Sequence, residues 1–350
     1  MRKLLLPLSS LYGVGVALRN LFFDIGLLQS SKLSVPVVSI GNLLAGGVGK
    51  TPLVEFIVNN LQLRGFKVAV VSRGYGRKTN GTLTVSNGKD ILATASEAGD
   101  EPLQMAEKLS DVIVIVDEQR VRGANVAIDQ YGANVIVLDD GFQHRYICRN
   151  LDIVILTASE LEQHEPLLPA GNRRDTWSSL NRASLIAVNR FRDLDHFNQL
   201  KERLLQKVQK PIIGIETRIV AVHRASTGFS INVQNLKTKK GFLLSGIGAP
   251  QSFEQTIRAM GVEIKHHEAF SDHHPYTDSD LARVTALAAT TASDYIFTTE
   301  KDLMRIRALG EIGKNFLASQ PVFWVEIALA VVSGEDLLDR SLPQVVKKDL

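Results

Sequence analysis

Residues 37–53 read VVSIGNLLAGGVGKTPL. Val37, Val38 and Ile40 form a β-branched apolar run that predicts a buried strand. The run breaks at Gly41-Asn42 into a loop of small residues, Ala45-Gly46-Gly47-Val48-Gly49, followed by Lys50-Thr51. Leu53, Phe56, Ile57 and Leu61 then recur at helical spacing. Strand, Gly-rich loop, Lys-Thr and helix, in that order, are the parts of a P-loop. Glycines let backbone N–H groups turn toward phosphate oxygens, and the helix N-terminus adds positive potential. A nucleotide is therefore expected on Leu44, Ala45, Gly46, Gly47, Val48, Gly49, Lys50 and Thr51. Lys50 would reach the β- and γ-phosphates, and the Thr51 hydroxyl would sit on Mg²⁺. The strict pattern places Gly where this chain has Leu44, so Gly46 and Gly47 have to shape the loop.

A chain of 350 residues is long for one core, and two domains are expected. The formal net charge of +3 is too small to argue for nucleic acid. One cysteine, Cys148, excludes an intramolecular disulfide and a Cys-based zinc site. Nothing marks an obligate protein partner.

Residues 1–31 stand apart, with a basic start and two apolar blocks. Leu4 to Leu18 carries no charge but falls short of the ~20 apolar residues that a spanning helix needs, and it contains Pro7. Leu11, Gly15, Leu18, Phe22 and Ile25 share one helical face. A core helix, a signal peptide and an interfacial amphipathic anchor compete here. The anchor is favoured, with Arg2, Lys3 and Arg19 near anionic head groups.

Further along, Val68–Ser72 is a strand ending in Ser72-Arg73-Gly74-Tyr75-Gly76-Arg77, where ligands gather in open α/β sheets. Asn80-Gly81 and Asn87-Gly88 signal hairpin turns in a β-excursion. Asp100-Glu101 opens a helix, either as a cap or as a carboxylate pair facing the γ-phosphate. Arg120 or Arg122 would bridge phosphates or lie on the surface. Val135–Leu138 ends in Asp139-Asp140, as a Walker-B strand does, placing a carboxylate beside the P-loop to hold Mg²⁺. Gln143-His144 would line the same crevice. The loop 166–175 ends in Arg173-Arg174, suited to an anionic group or to plain surface. Extended segments near 217–223 and 322–331 bracket a second α/β unit containing Asp272-His273-His274 and Thr298-Thr299-Glu300-Lys301-Asp302.

These motifs, taken in order across nearly the whole chain, resemble the tetraacyldisaccharide 4′-kinases (lipid A 4′-kinases) of Gram-negative bacteria. The resemblance is carried by the N-terminal apolar segment, Ile40–Asn42 with Gly46–Pro52, Ser72–Arg77, Gly99–Pro102, Asp139–His144, Leu168–Gly171, Asp272–His274 and Thr298–Asp302. It implies transfer of the ATP γ-phosphate to the 4′-hydroxyl of a tetraacylated glucosamine disaccharide 1-phosphate, giving lipid IV-A, at the cytoplasmic face of the inner membrane. It also implies an α/β fold: a P-loop domain at 32–216, a smaller α/β domain at 217–333 joined by a two-stranded hinge, a membrane-associated segment at 1–31 and a tail at 334–350. Asp100 would be the general base, assisted by His273, with Lys50 on the triphosphate. Thr51, Glu101, Asp139 and Asp140 would place Mg²⁺. Tyr75, Arg77, Arg120, Gln143, His144, Arg174 and Asn189 become candidates for substrate contacts. The alternative is a membrane-associated P-loop ATPase of the partitioning type, which shares GGVGKT. That class carries a signature Lys where this chain has Ala45, and it leaves Pro52 and the second unit unexplained.

Overall fold

A computed structural model describes residues 2–344, with side chains described for residues 4–342. The side chains of Arg2 and Lys3, expected beside anionic head groups, thus lie outside the described residues. The chain divides into two compact units, Met1–Thr217 with Leu329–Leu350, and Arg218–Ala328.

The first unit runs α1 (Leu6–Asp24), β1 (Val37–Asn42), α2 (Lys50–Leu63), β2 (Val68–Ser72), β3 (Leu83–Asn87), α3 (Ala95–Ala98), α4 (Asp100–Lys108), β4 (Ile113–Val116), α5 (Arg120–Asp129) and β5 (Val135–Asp139). It continues with β6 (Leu151–Thr157), α6 (Ala158–Glu162), β7 (Leu185–Asn189), α7 (Leu194–Leu205) and β8 (Ile212–Arg224). The strand order is β8-β7-β6-β1-β5-β2-β4-β3. Pairing is parallel except at the β3 edge, which runs antiparallel to β4. Strands β1, β2, β4, β5, β6 and β7 are buried along their whole length, as both-face coverage by helices requires. Leu53, Ile57 and Leu61 of α2 are fully buried on one side of the sheet. Each contributes roughly 1.5–3 kcal/mol by leaving water.

The second unit holds β9 (Ser230–Ile231), β10 (Lys240–Ser245), α8 (Pro250–Ala259), β11 (Glu263–Ala269), α9 (Asp278–Thr290), β12 (Tyr295–Thr299), α10 (Glu300–Arg307), α11 (Glu311–Ser319) and β13 (Val322–Ser333). Its parallel order is β11-β10-β12-β13. The boundaries between units fall inside β8 and β13, so the chain crosses twice in extended conformation. The extended segment expected near 217–223 is part of one longer strand, β8. The stretch set off as a C-terminal tail supplies helix α12 (Glu335–Gln344), whose Leu338 and Leu342 are buried in the core of the first unit.

Helix α1 inverts the usual arrangement. Its buried residues are Ser9, Asn20 and Phe23. Ser9 Oγ donates to the Leu167 carbonyl at 2.8 Å, Tyr12 Oη to the Arg174 carbonyl at 3.0 Å, and Asn20 Nδ2 to Asp175 Oδ1 at 3.2 Å. Leu4, Leu8, Leu11, Val14, Leu18, Leu21 and Ile25 all face solvent, Leu11 with 69% of its surface exposed. The helix is held by polar bonds and shows its apolar side outward. No helix among the described residues is long and apolar enough to cross a membrane.

Candidate functional site

Parallel pairing brings the carboxyl ends of the strands to one edge. The register sets Ile40 beside Asp139 and Val71 beside Leu138, so the P-loop leaves β1 next to the end of β5. The loop swings through Gly46 at φ 121° and Gly49 at φ 96°, conformations that favour glycine, and delivers Lys50 as the first residue of α2. A side chain on Gly49 would meet Asn189 Nδ2 at 2.8 Å. On its far side the loop is pinned by the segment after residue 171: Ala45 N–H donates to Asn172 O at 2.7 Å, and Arg174 N–H to Leu43 O at 2.7 Å.

At the centre lies a charge cluster. Arg174 clamps Asp140 through two bonds of 2.8 Å each, and Lys50 Nζ sits 3.3 Å from Asp140 Oδ1. Asn42 Oδ1 accepts from both Lys50, at 3.2 Å, and Arg174. Burial raises the Asp140 carboxyl, but the Arg174 bonds and the Lys50 charge outweigh it and hold Asp140 below the ordinary carboxylate range. Asp139, the neighbour, behaves oppositely. Burial, then the charges of Glu101 and Asp140, push its carboxyl up to about 6 against the pull of Lys50 and Ser72. Ser72 Oγ donates to Asp139 Oδ2 at 3.0 Å, while Asp139 Oδ1 is buried without a hydrogen-bond partner. An orphaned buried carboxylate oxygen beside a P-loop fits a cation ligand. Among the described residues no group of three or more His, Cys, Asp or Glu converges. A cation here would therefore take most of its ligands from phosphate and water.

Asp100 and Glu101 open α4. Their position is set by mutual contact of two loops, since a Cβ on Gly99 would lie 2.8 Å from Tyr75 O and one on Gly74 2.7 Å from Ala98 O. Both glycines have positive φ, 92° and 69°. Tyr75 is 73% exposed on the same loop.

A second cationic patch surrounds the Asp139–His144 turn. Arg149 donates to the carbonyls of Gly141, Phe142 and His144 at 2.8, 3.3 and 2.7 Å, fixing the turn from behind. Burial, then Arg120, Arg149, Arg19 and Arg73, pushes the His144 imidazole down to about 4. Burial and the Arg73 charge likewise lower Arg120. Nε of Arg120 and Nε2 of His144 are buried without hydrogen-bond partners. Gln143 turns inward, Nε2 donating to Asn42 O at 2.9 Å.

Two residues expected at the substrate make structural contacts. The Arg77 side chain is only 3% exposed; it pairs with Glu118 and donates to Gly81 O at 2.7 Å and Val116 O at 3.4 Å. It staples the β3 excursion to the end of β4. Asn189 is buried, and its Nδ2 donates to Val48 O at 3.2 Å, so it props the P-loop from below. Asn42, Arg149 and Arg190, whose guanidinium meets Gly47 O, were not singled out from the sequence. Asn42 and Arg190 meet partners far along the chain, Arg174 and Gly47, while Arg149 closes on the turn just before it in sequence.

In the second unit, His273 has φ 58° and donates its N–H to Gly246 O at 3.1 Å. Thr299 caps α10 by accepting from Asp302 N–H. The Thr298–Asp302 stretch is therefore a helix start, with Asp302 fully buried beneath it.

The family model for tetraacyldisaccharide-1-P 4′-kinase matches residues 1–347. The chain is 35% identical over 346 residues to the tetraacyldisaccharide 4′-kinase of Chlorobium limicola, covering 98% of this chain and 97% of the relative. It is 36% identical over 355 residues to that of Chlorobaculum tepidum, covering 99% and 98%. The "apo" form of LpxK from Aquifex aeolicus, solved in complex with ATP, superposes with a TM-score of 0.76 at 30% identity, covering 98% of this chain and 99% of that one.

Proposed function

The chain belongs to the tetraacyldisaccharide-1-P 4′-kinase family, and from that premise we propose how its crevice phosphorylates the 4′-hydroxyl of a tetraacyldisaccharide 1-phosphate. It is an ATP-dependent kinase of lipid A biosynthesis. The observation that carries the site assignment is the Lys50–Asp140–Arg174 cluster at the mouth of the P-loop. Phosphoryl transfer is mainly positioning and charge stabilisation. Lys50 exchanges Asp140 for the phosphate oxygens when ATP enters, and Arg174 keeps Asp140 paired meanwhile. Loop amides from Gly46 to Thr51 cradle the triphosphate.

Asp139, through its free Oδ1, and Thr51 are the residues that would hold Mg²⁺, with Glu101 near enough to raise the Asp139 carboxyl. The metal supplies charge neutralisation of the phosphates. Asp140 is committed to two cations, so it orders the site rather than binding metal. Asp100 takes the proton of the sugar hydroxyl, and His273 assists it. Arg120 and His144, both with unpartnered buried nitrogens, face an anionic substrate group.

Phosphate transfer from γ-labelled ATP to tetraacyldisaccharide 1-phosphate in mixed micelles tests the reading. Labelled lipid is expected from the wild type, and about 10²-fold less from Asp100→Ala. Transfer that survives the substitution reduces Asp100 to a helix-start residue. ATP hydrolysis without lipid product moves the chain to the partitioning-ATPase class.

The outward apolar face of α1 supports a seat for the enzyme at the cytoplasmic membrane surface, with the substrate's acyl chains left in the bilayer. Leu11→Glu with Leu18→Glu is expected to reduce co-sedimentation with phosphatidylglycerol-containing vesicles at least ~10-fold, since each buried leucine is worth roughly 1.5–3 kcal/mol. Leu11 is 69% and Leu18 47% exposed, and neither belongs to a buried core, so the melting temperature should hold within a few degrees. Unchanged vesicle binding would remove the helix from the membrane contact.

A further inference from the structure

The second unit contains a buried ion pair that the reaction as described does not use. Asp302 is fully buried and Arg305 is 7% exposed. Arg305 Nη1 donates to Asp302 Oδ1 at 3.1 Å and to Gly246 O at 2.7 Å. Asp302 Oδ1 also accepts from Gly246 N–H at 3.0 Å and from Tyr276 Oη at 3.1 Å, and its Oδ2 accepts from Thr299 Oγ1 at 2.6 Å. A buried pair of this kind adds little net stability over apolar packing of the same volume. Its geometry has one further output, because Arg305 Nη2 lies 3.2 Å from His273 Nδ1. Gly246 O ties the same histidine's backbone, and φ 58° at His273 holds the residue in a conformation that non-glycine residues seldom adopt.

We propose that Arg305 is a positioning residue that holds His273 as an Nε2–H hydrogen-bond donor for phosphoryl transfer. A guanidinium has donors and no acceptor, so Nδ1 must offer its lone pair to Arg305. In the neutral imidazole the proton then resides on Nε2, and that nitrogen is 3.8 Å from Asp272 Oδ1. Held this way, His273 offers a donor at Nε2 while its acceptor nitrogen stays engaged with Arg305. It does not abstract a proton itself. The inference rests on the proposed part of His273 in the transfer.

Selective ¹⁵N-histidine labelling with long-range ¹H–¹⁵N correlation reads the tautomer directly, the His273 signals being identified by their loss in His273→Gln. The full-length wild type should show the Nε2–H form. Arg305→Lys keeps the charge beside Asp302 but loses the fork that reaches Nδ1. It should shift the tautomer toward a mixture and lower kcat about 10-fold with KM for ATP unchanged. The pair Arg305→Met with Asp302→Asn removes both charges together and should do the same, which guards against a folding failure of either variant. On a His273→Ala background neither change should lower kcat further. An Nδ1–H form in the wild type, or a tautomer indifferent to both substitutions, overturns the proposal. A shifted tautomer with unchanged kcat overturns it by a different route, by removing His273 from the reaction.

Discussion

Replacing Lys50 by alanine is expected to lower kcat/KM about 10³-fold while the melting temperature stays within a few degrees of wild type. The size follows from what Lys50 does. Deleting one preorganised group that stabilises transition-state charge costs roughly 10²–10³-fold, and on the proposed reading Lys50 contacts the phosphates in both the ground state and the transition state. The stability expectation follows from its partners. Lys50 shares Asp140 and Asn42 with Arg174, whose two 2.8 Å bonds remain when Lys50 is gone. Asp140 is therefore not left unpaired, because Arg174 still neutralises it through both bonds. Steady-state kinetics in lipid–detergent micelles and a thermal melt check both halves. A large fall in melting temperature would mean that Lys50 is a keystone of the cluster, and the loss of rate could not then be assigned to phosphate contact.

Asp139→Asn separates the two aspartates. The expected result is a loss of about 10³-fold in kcat/KM at ordinary Mg²⁺ concentrations, partly recovered as Mg²⁺ is raised, because on the proposed assignment the amide offers a neutral oxygen where a carboxylate would hold the cation. Stability should move the other way. Burial and the neighbouring carboxylates raise the Asp139 carboxyl to about 6. A carboxyl whose folded value exceeds its unfolded value favours the fold when protonated. That stabilisation is complete below the unfolded value and is lost as pH rises through about 6. At pH 8 the wild type carries the ionised, unfavourable form, so a neutral amide that can still accept from Ser72 Oγ should leave the melting temperature equal or higher. Asp140→Asn is the contrast. It strands Arg174 and Lys50 beside a neutral group, so it should lower the melting temperature as well as the rate. If instead Asp140→Asn alone showed a Mg²⁺-dependent rescue, the metal assignment would pass to Asp140.

Much of the first unit is legible because its signals are local. The β-branched run at Val37–Ile40, the glycine loop and the 3.6-residue spacing of Leu53, Ile57 and Leu61 lie within one stretch, and each reports burial that the sheet and its helices require. Asp139 and Asp140 are readable for the same reason, at the end of a short apolar strand. What could not be read is which of the two touches what. That depends on Arg174, 34 residues on, returning to clamp Asp140, and on Ser72 from a neighbouring strand reaching Asp139.

Arg77 and Asn189 show the same limit from the other side. In sequence each is a polar residue near the carboxyl end of a strand, where substrate contacts gather. Tertiary packing uses Arg77 to close a half-buried pair with Glu118 and Asn189 to support Val48. Helix α1 is an intermediate case. Its apolar face is plain in the spacing of Leu11, Leu18, Phe22 and Ile25, but a periodic pattern cannot say which face is turned inward. The polar bonds of Ser9, Tyr12 and Asn20 to the 167–175 segment decide that, leaving the leucines outside. The sequence by itself thus determined the P-loop, the class of fold and the family, since these rest on periodicity and on residues adjacent in the chain. Only the tertiary structure decided the different partners of Asp139 and Asp140, the orientation of α1 and the Arg305 contact to His273. Each of these depends on hydrogen bonds between residues far apart in the chain, and such pairings exist only once the strands have set their order.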